Sequence, residues 1–289
     1  MILIDAHHHL WDPSVGEYPW MTADLEVLRR VYSLADLTPH IVGNRVRATV
    51  VVQVRADVAE TVDLLALSAA TPLLAGVVGW VDLTSADAGA DIARLRAGAG
   101  GDRLVGLRHA AADEPDPQWL LREDVDAAMA AITEHDLTFD LEITPRELAA
   151  ASKLVRRHPD LRFFVDHGAK PPIAQGFCHE WATGIAELAE APNVWCKLSG
   201  LVTQDVWTQW SVQRLQPYVD HLLTVFGTSR LMFGSDWPVC ELAASYEDVL
   251  DAARRCLHHL TPAEHDDIFC GNAQHAYSLS LTTAEEFDR

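Results

Sequence analysis

Eight short runs of β-branched and other apolar residues punctuate the chain, separated by longer stretches whose apolar positions fall three and four apart. They are "MILIDAH" from Met1, "RATVVVQV" from Arg47, "GVVGWVDL" from Gly76, "LVGLRH" from Leu104, "TFDLEI" from Thr138, "RFFVDHG" from Arg162, "NVWCKLSG" from Asn193 and "RLMFGSDWP" from Arg230. Such alternation is the signature of strand–helix units that build a parallel sheet. Several runs are apolar almost throughout, as strands covered on both faces must be. The stretches between them, such as "DVDAAMAAITEHD" and "YEDVLDAARRCLHHLT", carry helical periodicity. Thr144, Pro145 and Glu147 make a capping-box start with proline at the first helical position. Eight such units predict an α/β fold, a single (β/α)8 TIM barrel. An open dinucleotide-binding sheet is the rival, but no glycine-rich phosphate turn follows the first run.

A chain of 289 residues, 49% hydrophobic, can bury one large core without a linker, so one domain over 1–289 is expected, with 282–289 as a frayed tail. The net charge of −20 repels phosphate backbones and anionic bilayers, which argues against nucleic-acid and membrane partners. With no leader-like N-terminus and no apolar run near about eighteen residues, a cytoplasmic protein is expected. Five cysteines without C-x-x-C spacing read as buried free thiols. A homo-oligomer stays open. About forty residues separate the first two runs, and their aromatic "EYPWM" (Glu17 to Met21) suits a wall over a barrel mouth.

Ionisable residues recur where the runs end, which in a barrel is where an active site forms. His7 and His9 end the first, Gln53 the second, and Trp80 and Asp82 the third. Arg108 and His109 end the fourth, Asp140 and Glu142 the fifth, Asp166 and His167 the sixth, Lys197 and Ser199 the seventh, and Ser235 and Asp236 the eighth. Residues two apart on a strand share a side, so His7 and His9 can reach one point while His8 packs outward. Two imidazoles on one side suit a divalent metal, most often zinc. Asp236 is the candidate general base and a further metal ligand. His167 is a candidate ligand or proton donor, and Arg108 or His109 could polarise a carbonyl. Trp11, Trp20, Trp80 and Trp237 offer apolar faces to a ligand, and Gln53, Asp140, Lys170 and Lys197 offer polar contacts.

Taken together, "IDAHHHLWD", "VVGWVDL", "GLRH", "VDHGAKP", "CKLSGL", "RLMFGSDWPV" and "GNAQHAY" resemble the amidohydrolase superfamily, in its amidohydrolase family 2 branch. Within that branch the chain is most similar to the sugar-acid lactonases of the L-fucono-1,5-lactone type. The resemblance covers nearly the whole chain and implies a TIM barrel that opens a small sugar lactone. It places the branch's H-x-H on His7 and His9, its sixth-strand histidine on His167 and its eighth-strand base on Asp236. The fifth strand offers Asp140 or Glu142 where metal-rich relatives place a histidine, so a single, dispensable zinc is expected rather than a binuclear centre. The alternatives are a dicarboxylate lactonase, a metal-dependent decarboxylase of the same fold, and a non-catalytic sugar-acid binding protein.

Overall fold

The computed structural model describes residues 2–281, so the tail expected at 282–289 lies outside it. Each apolar run becomes a strand: β1 Leu3–His8, β2 Val46–Val52, β3 Leu74–Gly79, β4 Leu104–Ala110, β5 Thr138–Glu142, β6 Arg162–Val165, β7 Val194–Leu198 and β8 Leu231–Phe233. They form one parallel sheet in chain order. Beyond β8 the chain closes the barrel on β1, with the Asp236 amide donating to the His7 carbonyl at 2.8 Å and the His9 amide to the Trp237 carbonyl at 2.7 Å.

The amphipathic stretches supply the outer ring. These are α1 Leu34–Asn44, α2 Val58–Ala70, α3 Ala88–Ala97, α4 Glu123–Glu134, α5 Leu148–Arg157, α6 His179–Ala189, α7 Val212–Phe226 and α8 Tyr246–Cys256. The capping box at Thr144 and Glu147 forms as expected, starting a short 3-10 turn that leads into α5. The interior of the barrel is a packed core rather than a channel, filled by Ile4, Val50, Val52, Val78, Phe164 and Met232. Tyr277, from the segment after α8, plugs its lower end and stacks on Phe164 with ring centroids 4.4 Å apart. Cys196, Cys240 and Cys256 are buried thiols, whereas Cys178 and Cys270 are only half-buried. No helix among the described residues is long and apolar enough to cross a membrane.

One irregularity in β1 decides what the barrel can do. Ile4 and Ala6 face the interior, so strict alternation would turn His8 inward. The register with β2 shifts between Asp5 and His8, and the shift turns His7 and His9 inward instead. His8 then faces the helical layer, where its Nε2 lies 2.9 Å from Oγ1 of Thr49. Asp5 holds the bulge from outside. Its Oδ1 accepts the amides of His7 at 3.2 Å and Ser235 at 2.9 Å, and Tyr246 of α8 donates to Oδ2 at 3.1 Å.

Candidate active site

The mouth of the barrel opens into a cavity of about 1010 Å³, walled on one side by Gly16 to Trp20 of the long first connection. On its floor Oδ1 of Asp236 lies 3.5 Å from Nε2 of His9, 3.8 Å from Nε2 of His7 and 3.9 Å from Nε2 of His167. Nδ1 of His9 sits 2.8 Å from the Val52 carbonyl. A carbonyl only accepts, so that nitrogen carries the proton and Nε2 presents its lone pair to the floor. Burial holds the His7 imidazole well below the ordinary histidine range, against the pull of Asp166, and burial likewise lowers His167.

His167 is aimed by an unusual backbone. His167, Gly168, Ala169 and Lys170 all have positive φ, at 54°, 58°, 59° and 47°. For non-glycine residues this left-handed turn costs roughly 1–2 kcal/mol each. Trp181 of α6 clamps it, the indole N–H donating 2.7 Å to the Gly168 carbonyl inside the core. At the far end of the turn, Nζ of Lys170 donates 2.8 Å to Glu142. His167 Nδ1 lies 2.9 Å from Oγ of Ser199, the residue that ends the β7 run.

Several residues anticipated at the cavity lie elsewhere. Asp140 and Lys197 are fully buried one layer below it. Asp140 precedes Glu142 by two residues on β5, about 6–7 Å deeper along a strand. Its carboxylate is used there, 2.5 Å from Nζ of Lys197 and 2.9 Å from the Tyr277 hydroxyl. Trp11 is buried in the first connection, its indole donating to the carbonyls of Leu28 and Arg30 at 3.0 and 3.1 Å. Trp237 is buried as well, its indole donating 2.9 Å to Glu241. Asp82 falls in an exposed turn past β3 and accepts from Thr84. None of these five lines the cavity.

Trp20, Trp80, Gln53, Arg108, His109 and Lys170 do line it, with two roles altered. Arg108 spends its donors on the framework, to the side chain and carbonyl of Gln53 and, 3.3 Å away, to Asp166, with Glu142 at 3.6 Å. Four of its five donors brace the site in this way. His109 accepts from the Trp80 indole at 3.3 Å, which puts its own proton on Nε2, 2.8 Å from Glu114. It is stacked on Trp119 with ring centroids 3.9 Å apart, so both ring nitrogens and one face are engaged within the cavity wall.

With that geometry described, comparison with known proteins gives a consistent answer. Residues 4–279 match the amidohydrolase family. The chain belongs to that family. This amidohydrolase is 39% identical over 287 residues to the L-fucono-1,5-lactonase of Burkholderia ambifaria, covering 98% of each chain. It is 35% identical over 288 residues to the L-fucono-1,5-lactonase of Burkholderia multivorans, covering 96% of each. Among solved structures it is similar to a zinc-bound amidohydrolase from Burkholderia multivorans, with a TM-score of 0.92, 34% identity, and coverage of 97% of this chain and 100% of that one.

Two sets of buried donors in this amidohydrolase have the composition of a metal site: His7, His9 and Asp236, and His7, Asp166 and His167, each with its ligand atoms within 4.8 Å of one another. The first fits a divalent ion, because the lone pair of His9 is already turned to the floor and, among the described residues, no lysine or arginine forms an ion pair with Asp236. In the second, Asp166 is already neutralised by Lys197 at 2.8 Å and Arg108 at 3.3 Å. The sets share His7, and with Asp166 already paired the first is the set that suits an ion. The aromatic stretch expected to wall the mouth does so through Tyr18 and Trp20, but motif reading missed other lining residues: Thr203, Gln204, Asp113 and Glu114. All lie in loops just past strand ends, and position relative to those ends was the only signal they carried.

Proposed function

We propose that this amidohydrolase opens a sugar-derived lactone, of the L-fucono-1,5-lactone type, to its hydroxy acid. The observation that carries the reading is the grouping of one carboxylate, Asp236, with the imidazoles of His9 and His167 on the floor of a cavity large enough for a sugar ring, and with His7 buried directly behind them. Asp236 takes a proton from water as the oxygen attacks the lactone carbonyl. With Ser199 donating to its Nδ1, His167 keeps its proton on Nε2 and donates to the carbonyl oxygen as negative charge develops there. When the ring C–O bond breaks, the proton held by Asp236 passes to the departing hydroxyl. A zinc ion held by His7, His9 and Asp236 would supply Lewis-acid polarisation, and the zinc in the Burkholderia multivorans neighbour supports that assignment.

The cavity's charge favours a neutral lactone over a dicarboxylate. Seven carboxylates line it against three cations. Each cation is already engaged: Arg55 with Asp57, Arg108 with Asp166 and Glu142, and Lys170 with Glu142. Tyr18, Trp20 and Trp80 provide apolar faces for sugar C–H groups. A cytoplasmic enzyme acting on a small molecule accords with the acidic chain.

The test is a pH-indicator assay across L-fucono-, D-arabinono-, L-galactono-, L-rhamnono- and dicarboxylate lactones, on protein of measured zinc content. A strong preference for one neutral sugar lactone is expected, with Asp236→Asn slowing it by roughly 10²–10⁴-fold. Flat rates across the panel, or an Asp236→Asn enzyme near wild-type speed, would sink the reading.

A further inference from the structure

Nδ1 of His7 stands between two groups of opposite character. The ammonium of Lys197, fully buried on β7, lies 3.1 Å away and can only donate. Oδ1 of Asp166, buried just past β6, lies 3.3 Å away and, as a carboxylate oxygen, accepts. One nitrogen of a neutral imidazole cannot answer both, since the first needs a lone pair and the second a proton. The distances favour the first arrangement: the Lys197 ammonium donates to Nδ1 at 3.1 Å and also lies 2.8 Å from Asp166 Oδ1, the oxygen that could instead accept a proton from Nδ1.

The rest of the floor follows from that choice. With Nδ1 accepting, the His7 proton is on Nε2, 3.1 Å from Nε2 of His9, whose own proton is committed to the Val52 carbonyl. Lys197, His7, His9 and Val52 thus form a one-way chain in which every donor meets an acceptor. The chain holds both imidazoles in place without an ion. It also leaves no lone pair on His7 Nε2, the atom that faces Asp236.

We propose that Asp166 is a positioning residue for metal uptake: it is the reserve acceptor for a proton on His7 Nδ1, so the site exchanges a hydrogen-bonded tautomer for an ion-binding one. In the exchange one proton leaves Nε2 and one arrives at Nδ1, and the imidazole stays neutral. Lys197 stays an ammonium, held by Asp140 at 2.5 Å and Asp166 at 2.8 Å. Arg108, donating to the other oxygen of Asp166 at 3.3 Å, fixes the carboxylate in either state.

The inference rests on His7, His9 and Asp236 as zinc ligands, and the experiment separates the two. Protein labelled with ¹⁵N-histidine, with and without one equivalent of zinc, is examined by long-range ¹H–¹⁵N correlation, and the His7 signal is identified by its loss in His7→Gln. The His7 proton is expected on Nε2 without zinc and on Nδ1 with it. In parallel, Asp166→Asn is expected to bind zinc about 10–100-fold more weakly in competition with a chromophoric chelator. Zinc uptake with no change of tautomer, or a folded Asp166→Asn protein with wild-type zinc affinity, overturns the switch alone. Wild-type protein that takes up no zinc overturns the ligand assignment and the switch together, leaving metal-free lactone hydrolysis to be judged by its own assay.

Discussion

A side chain on Gly200 would collide with His167: a Cβ there would lie 2.6 Å from the imidazole Nδ1, and 2.9 Å from Oδ2 of Asp236. Gly200 also has φ of +62°, so two constraints reserve the position for glycine. Gly200→Ala is expected to displace Asp236 and His167 and, on the proposed mechanism, to lower kcat/KM by about 100-fold, as misplacement by about 1 Å does. The left-handed backbone adds a cost of roughly 1–2 kcal/mol to that of the collision. Lactone hydrolysis measured beside a thermal melt checks this, and a folded Gly200→Ala enzyme with undiminished activity would contradict it.

Trp181 keeps the left-handed turn closed without touching the cavity. Trp181→Phe preserves most of the buried volume but leaves the Gly168 carbonyl without its donor, at a cost of about 1–3 kcal/mol. The predicted result is a kcat about tenfold lower with KM nearly unchanged, because the loss falls on the aim of His167 rather than on the sugar-binding walls. Equal losses in a stability-matched core variant elsewhere in the barrel would show that Trp181 acts through stability alone.

The barrel was legible because each strand is a compact apolar run, and the alternation survives any error in its ends. The floor was legible wherever a strand end and an ionisable residue coincide, as at His7, His9, His167 and Asp236. Depth was not legible. Asp140 and Glu142 look equivalent in sequence, yet two residues of strand separate a buried framework carboxylate from a cavity wall. Nor was commitment: Arg108 reads as a free cation until the pairing of β2, β3 and β4 brings Gln53 against it. The inward turn of His7 and His9 depends on a register shift in β1, and a one-residue shift leaves no mark in hydrophobic patterning.

Glu142 joins Lys170 and Arg108 across the cavity wall, and the pH dependence of that link has a definite sign. Burial pushes the Glu142 carboxyl up, but Lys170 and then Arg108 outweigh it and hold the group well below the usual carboxylate range. A depressed carboxyl contributes stability above its unfolded pKa of about 4.3 and loses it as pH falls through the folded value. Glu142→Gln is therefore expected to cost about 3 kcal/mol at neutral pH, as when one partner is removed from a buried pair. The gap from wild type should narrow steadily as melts are taken below about pH 4. A gap constant from pH 3 to pH 8 would mean that the ionised form of Glu142 is not what stabilises the wall.

His109 and Trp80 should behave as one unit. The Trp80 indole is fixed by a hydrogen bond to Nδ1 of His109, which Glu114 orients from the other side and Trp119 supports from below. If His109 acted on the substrate as an acid, its removal would lower kcat and leave a pH signature. If it only holds Trp80, its removal weakens a stacking wall that contributes about equally to the bound lactone and the transition state, so KM rises and kcat is spared. The expectation for His109→Ala is a KM increase of about tenfold at nearly constant kcat, and the same for Trp80→Ala. The double variant should lose little more than either single one, because contacts in one network are not additive. Steady-state kinetics on the three enzymes decides the matter: additive losses, or a kcat that collapses with His109→Ala alone, would return His109 to the catalytic group.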